Sequence, residues 1–170
     1  MAISMYSASV PVFTQYLTAM AAILKKAAQH CEAKKIDPAV LVGGRLYPDM
    51  FALARQIQIA TDHAKGATAR LSGSEVPSFP DTEAGFDELQ ARIAKTLDFV
   101  GGFKPGQIDG SDDKDIVLKI AGKDYPFKGA EYLTMFALPN FFFHLSTAYG
   151  ILRHCGVEIG KRDFMGATEK

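Results

Sequence analysis

A run of apolar residues near the start of the chain, spaced alternately three and four positions apart, most limits the possible folds. Its members are Val10, Phe13, Leu17, Met20, Leu24, Ala27 and Cys31. Residues with this spacing lie on one side of an α-helix and need a second apolar surface to pack against. We therefore predict a first helix from about Ser9 to Lys34, capped by Ser9, in a helical bundle.

Three later segments also have apolar residues at helical spacing. We predict helix two from Pro48 to about Leu71, helix three from Asp81 or Thr82 to about Val100, and helix four from about Gly129 to Cys155. Pro48 suits the first position of a helix, where its missing N–H costs nothing. On helix three, Glu88 and Arg92 are four apart and are expected to form an ion pair.

Between helices three and four the apolar period changes from helical to alternating. Ile116, Leu118 and Ile120 alternate with other residues, and the turn-forming run Ala121-Gly-Lys-Asp124 precedes a second alternating stretch. This pattern predicts a short β-hairpin that packs on the bundle. We therefore expect an all-α class, as one domain over residues 1–170, in the form of a four-helix bundle with a short hairpin before the last helix. The tail from Val157 is expected to be extended at first and frayed at its end.

The charge balance excludes some partners. The chain has 19 basic and 19 acidic residues, so it lacks the basic surface of a nucleic-acid binder or of a membrane-surface protein. The uncharged stretch Tyr132–Leu152 is long enough to span a bilayer, but its internal polar residues favour a buried bundle helix. Cys31 and Cys155 fit neither a disulfide framework nor a zinc motif, so we expect reduced thiols and a cytoplasmic location.

Helix four is apolar on nearly every side. Phe136 and the run Phe141–Phe143 add more apolar surface than one packed face needs. Such a helix is central in a fold or shared with a second subunit, and we expect a homodimer.

Histidine placement is the main sign of chemistry, because the sequence contains no phosphate loop, nucleophile elbow or HExxH motif. His144 lies on the inward face of helix four, one turn after Asn140, and His63 lies at the edge of the apolar face of helix two. One interpretation is a hydrogen-bonded Asn140–His144 pair that fixes helix register. The other is a site between facing helices, as in bundles that bind metals.

Several segments resemble a known group of proteins. The order of helices, the segment Asn140-Phe-Phe-Phe-His144 and the run Ile151-Leu-Arg-His-Cys-Gly156 resemble the DinB/YfiT-like superfamily. Arg45-Leu-Tyr-Pro-Asp-Met50, Leu138-Pro-Asn-Phe141 and Gly160-Lys-Arg-Asp-Phe164 are similar to one of its subgroups, a domain of unknown function. The resemblance implies a four-helix bundle with up-down-down-up connectivity. It also implies a divalent metal held by one histidine of helix two and a His-x-x-x-His pair of helix four.

This sequence departs from the pattern at one ligand. His63 corresponds to the helix-two histidine and His144 to the second histidine of helix four, but Asn140 stands in place of the first. We therefore expect no cofactor and no complete metal site, and a small molecule bound between helices at His63, Asn140 and His144. The alternative is a metal-dependent enzyme of the thiol transferase or hydrolase type. In it these three residues and water hold zinc, nickel or iron as a Lewis acid.

Overall fold

The computed structural model describes residues 3–166, which form helices and one hairpin. In chain order the elements are α1 (Val10–Lys34), α2 (Pro38–Val42), α3 (Leu53–Ser72), α4 (Phe86–Gly101), α5 (Pro105–Ile108), β1 (Asp115–Ile120), β2 (Lys123–Lys128), α6 (Gly129–Glu131), a π-helix (Tyr132–Ala137), α7 (Leu138–His154) and α8 (Lys161–Met165). The long helices α1, α3, α4 and α7 form the bundle. The predicted fold class is confirmed, including the hairpin before the last long helix.

The contacts between helices establish their directions. α1 and α4 are antiparallel, because the backbone amide of Tyr6, before α1, donates to Asp109, after α4 (2.8 Å). α3 and α4 are parallel. Gln58 in the first half of α3 donates to Glu83 just before α4 (2.9 Å), and α5, which follows α4, packs on α3.

α7 runs antiparallel to α3. Arg70 near the end of α3 donates to Tyr132 in the π-helix that leads into α7 (3.1 Å), whereas Gln56 near the start of α3 contacts His144 in α7 (2.7 Å). With the directions of α1 and α4, this gives the up-down-down-up connectivity that the resemblance implied.

The apolar residues predicted to face inward on the first helix are buried in the structure. All seven residues of its predicted apolar face are at most 3% exposed. Ser9 precedes α1 but does not cap it with its side chain, because its hydroxyl donates to the carbonyl of Met5 (2.6 Å). The helix therefore forms where the apolar spacing predicts, although the predicted cap is wrong.

Two predicted helix starts are also wrong. α3 begins at Leu53 rather than Pro48, since residues 47–50 form a turn. α4 begins at Phe86 because the preceding segment folds back along the helix, where Arg92 binds the carboxylates of Asp81 and Glu83 (3.1 and 3.0 Å). Arg92 thus pairs with these residues, and the ion pair that we had expected between Arg92 and Glu88 is wrong.

The hairpin and the tail differ from prediction in detail. Ala121 and Gly122 alone form the turn, both with positive φ (49° and 78°), as in the two-residue turns that suit strand twist. Lys123 and Asp124 belong to β2. In the tail, α8 forms where extended chain was expected, with the Gly160 amide bonded to the Asp163 carboxylate (2.7 Å). The fraying predicted for residues 167–170 lies outside the described residues.

The aromatic residues of α7 find partners within one chain. Phe141 is fully buried against Phe13, and Phe142 packs edge-on against Tyr16 (ring centroids 5.0 and 4.8 Å apart). Phe143 is 59% exposed. The homodimer therefore stays a prediction that rests on less surface than the sequence suggested. Within residues 3–166 no helix combines the length and apolar character that crossing a membrane requires.

Candidate functional site

The structure brings together two of the three residues predicted to form a site. His63 of α3 and His144 of α7 place their rings 6.1 Å apart between centroids, with an angle of 15° between the ring planes. This contact lies between facing helices, as predicted.

His144 is held by a glutamine that sequence reasoning missed. Its Nδ1 lies 2.7 Å from Oε1 of Gln56, and Nε2 of Gln56 donates to the carbonyl of Phe51 (3.0 Å). The second bond orients the amide, so Oε1 accepts and Nδ1 of His144 carries a proton. Nε2 of His144 then keeps its lone pair. Gln56 precedes His63 by seven residues and so lies on the same face of α3, which is the signal that would have found it.

Asn140 takes no part in this arrangement. Its side-chain amide donates to the carbonyl of Phe136, one turn earlier on its own helix (2.7 Å). The expected Asn140–His144 pair is therefore wrong, and Gln56 is the partner of His144.

His63 faces a pocket of about 230 Å³ between α3, β1 and the π-helix. The residues that line it are Asp62, His63, Arg70, Leu118, Lys119, Ile120, Tyr132 and Phe136. His63 is thus the predicted site residue in the pocket wall, with the His144 ring beside it. The wall combines an imidazole, a guanidinium and a phenol with apolar side chains.

Burial controls the protonation of these groups. Burial, together with smaller contributions from the nearby His144 and Arg70, lowers the pKa of His63 to about 4 against the opposing influence of Asp62. Burial also lowers the pKa of His144, with a smaller contribution from Arg55. For Tyr132 burial raises the pKa against the influence of Arg70. At neutral pH the pocket therefore presents a neutral imidazole and a protonated phenol.

The π-helix brings two aromatic side chains to the pocket. The hydroxyl of Tyr132 accepts a hydrogen bond from Nη1 of Arg70 (3.1 Å), and the Phe136 ring meets the His63 ring edge-on (5.6 Å). Pro139, two residues after the π-helix, has no N–H to donate to the preceding turn, so one backbone hydrogen bond of the helix is missing there. Wide turns of this kind are frequent at functional sites.

A buried arginine next to the pocket was not anticipated. Arg92 is 3% exposed and donates to Thr61 (2.7 Å) and to the carboxylates of Asp62 and Glu83 (both 3.0 Å). Asp62 also pairs with Lys65 (2.8 Å). The carboxylate of Asp62 is therefore already neutralised, although the residue lines the pocket.

The side chains present do not fit a three-ligand metal site. His63 and His144 supply two imidazoles, with ring centroids 6.1 Å apart, whereas a zinc site needs at least three protein ligands. The third position holds Asn140, whose amide is bonded to its own helix. Across residues 3–166 no cluster of three or more His, Cys, Asp or Glu side chains is arranged to hold a metal ion.

Comparison with known proteins agrees with the fold. The structure is similar to the crystal structure of a DinB family member from Shewanella denitrificans, with a TM-score of 0.87 and 40% sequence identity, over 97% of this chain and 93% of that one. Among curated proteins, no match was found. The model of the family described as domain of unknown function DUF1993 matches residues 5–165. The chain therefore belongs to the DUF1993 family, within the DinB-like superfamily.

Proposed function

We propose that this protein binds a small organic molecule in the pocket beside His63 and does so without a metal. The observation that carries the proposal is the convergence of three polar groups, from His63, Arg70 and Tyr132, on one pocket with apolar walls. Small-molecule sites are typically apolar clefts with a few polar groups that orient the ligand. A half-buried histidine with a strongly lowered pKa in such a cleft supports the assignment.

The hairpin supplies the outer wall of this pocket. Ile116 and Leu118 point inward and are about as buried as the bundle core (5% and 6% exposed), while Ile120 at the rim is 41% exposed. A groove between α1 and α4 has a larger volume than this pocket, about 390 Å³, but is lined mainly by alanine side chains and exposed charges. The pocket beside His63 is therefore the better candidate for specific recognition.

One observation favours the metal-dependent alternative. The bond from His144 to Gln56 leaves Nε2 with a lone pair, and metal-binding histidines are usually oriented by such a bond at their other nitrogen. Against it stands the missing third ligand. Metal analysis of untagged protein purified without chelator separates the two. We expect well under one equivalent of zinc, nickel or iron, and a full equivalent would favour the enzyme.

The cysteines support a reducing environment. Cys31 and Cys155 are both free, and burial raises the pKa of each thiol, so neither is activated as a nucleophile. Free structural thiols are typical of cytoplasmic proteins, and we propose that location.

A pair of variants on one strand tests the binding site. Ile120→Trp should fill the rim of the pocket, whereas Val117→Trp places the same ring on the opposite, outer face of β1, where Val117 is 55% exposed. Native mass spectrometry and a thermal-shift screen of small metabolites should identify ligands that bind wild type and Val117→Trp but not Ile120→Trp. Ligands that bind all three proteins equally would place the binding site elsewhere and refute the proposal.

A further inference from the structure

We infer that the pocket recognises a carboxylate, and that Arg70 is its anchor. This inference rests on the proposed function and specifies the ligand class. A guanidinium has five N–H donors, of which one from Arg70 is used on Tyr132 (3.1 Å). Among the ion pairs between described residues, none includes Arg70. A cation that lines a pocket with unused donors is suited to an anionic ligand.

The acidic residue of the pocket does not compete for Arg70. Asp62 is bound by Arg92 (3.0 Å) and Lys65 (2.8 Å). Lys119, the other cation of the wall, is exposed at the rim. The pocket therefore has an excess of positive charge that a ligand would balance.

A glycine one turn before Arg70 makes room for its guanidinium. A Cβ at Gly66 would lie 2.5 Å from Nη1 and 3.6 Å from Cζ of Arg70, so the guanidinium occupies the space that a side chain at this position would fill. Glycine inside a helix is unfavourable relative to alanine, and this one is buried in the middle of α3. Gly66 leaves this space open and the Tyr132 hydroxyl holds the guanidinium in it before any ligand arrives, which reduces the entropic cost of binding.

The remaining groups define the rest of the ligand. Tyr132 accepts from Arg70, so its own phenolic proton is free to donate to a second carboxylate oxygen. Phe136, Leu118 and Ile120 offer apolar and aromatic contact, and about 230 Å³ suits a molecule the size of a substituted benzoic acid. One guanidinium and one phenol match the two oxygens of a carboxylate, whereas a phosphate would require more donors.

Benzoate and its neutral isostere benzamide test this inference. We expect benzoate to bind wild type with millimolar affinity by NMR titration, at least tenfold more tightly than benzamide. Arg70→Gln should abolish the difference. Gly66→Ala should reduce benzoate affinity severalfold without lowering the melting temperature, because it moves the guanidinium yet favours the helix. Gly101→Ala, at the end of α4 where a Cβ meets nothing within 4 Å, is the matched control and should bind as wild type.

The other outcomes are equally informative. Equal binding of benzoate and benzamide, lost in Ile120→Trp, would retain the binding pocket but overturn the carboxylate anchor. Arg70-dependent binding of inorganic phosphate without benzoate would overturn the carboxylate in favour of a phosphate. Failure of both aromatic probes in wild type would overturn the inference, and only a failure of the broader ligand screen as well would overturn the proposed function. Unchanged benzoate binding by Gly66→Ala would remove the positioning role of that glycine.

Discussion

Replacing His144 by alanine should destabilise the protein through one specific bond. The buried Oε1 of Gln56, 2.7 Å from Nδ1, would lose its partner, which costs about 1–3 kcal/mol. The vacated space, roughly 60 Å³, adds about 1.5 kcal/mol. We expect the free energy of unfolding to fall by about 2.5–4.5 kcal/mol in urea at pH 7.5, where both histidines are neutral.

Two further variants separate the bond from the cavity. Asn140→Ala removes an amide of similar size from the same helix, but that amide bonds only to its own helix, so we expect a change within about 0.5 kcal/mol. His144→Asn keeps an N–H donor near the position of Nδ1 and should recover part of the loss. Equal losses in the alanine variants, or no recovery with asparagine, would refute the role assigned to the Gln56 contact.

Three further predictions concern metal, pH and assembly. Asn140→His should create a three-histidine site with His63 and His144, so that zinc or nickel raises the melting temperature of this variant only. At a hundredfold excess over the dissociation constant, metal binding adds roughly 2.7 kcal/mol to the free energy of unfolding. A rise in the melting temperature of wild type would contradict the argument that a ligand is missing. Because the pKa of His63 is lowered to about 4, the unfolded chain takes up a proton first as pH falls below about 6.5. Stability should therefore decrease between pH 6.5 and 4, by up to about 3 kcal/mol from this group, and His63→Phe should reduce that slope when both proteins are unfolded in urea across the range. Light scattering at micromolar concentration should show a dimer, and Phe143→Glu should dissociate it if the exposed side of α7 is the interface; a monomeric wild type would refute the homodimer.

The parts of the fold that local spacing controls could be predicted. The apolar face of α1 and the alternating strands of the hairpin follow from residues within one or two turns of each other. The start of α4 could not, because it depends on ion pairs between residues nine and eleven positions apart. Asp81 and Glu83 would allow an earlier start of α4, but Arg92 binds both carboxylates and diverts the chain.

The candidate site was predictable only in part, for the same reason. Helical spacing places His63 and His144 on inward faces, and the structure brings them together. The partner of His144 lies 88 residues away in the sequence, and the hairpin that closes the pocket lies more than 50 residues after His63. Contacts of such separation leave no local pattern, so the pocket wall could not be derived from periodicity. For Gln56 the spacing indicates the helix face it shares with His63, but not that His144 is its partner.

The π-helix has a consequence for how such a pocket arises. A π-turn contains one residue more than an α-turn, so the segment Tyr132–Ala137 amounts to a single-residue insertion in an otherwise continuous helix. Deleting one exposed residue there, such as Met135, would restore an α-helix and rotate Tyr132 by about 100° relative to α7. The phenol would then lose its contact with Arg70, whereas the buried residues of α7, which follow the deletion, would keep their positions. In a lineage of such bundles, the contact between Tyr132 and Arg70 in the pocket wall is one codon away from being lost or gained.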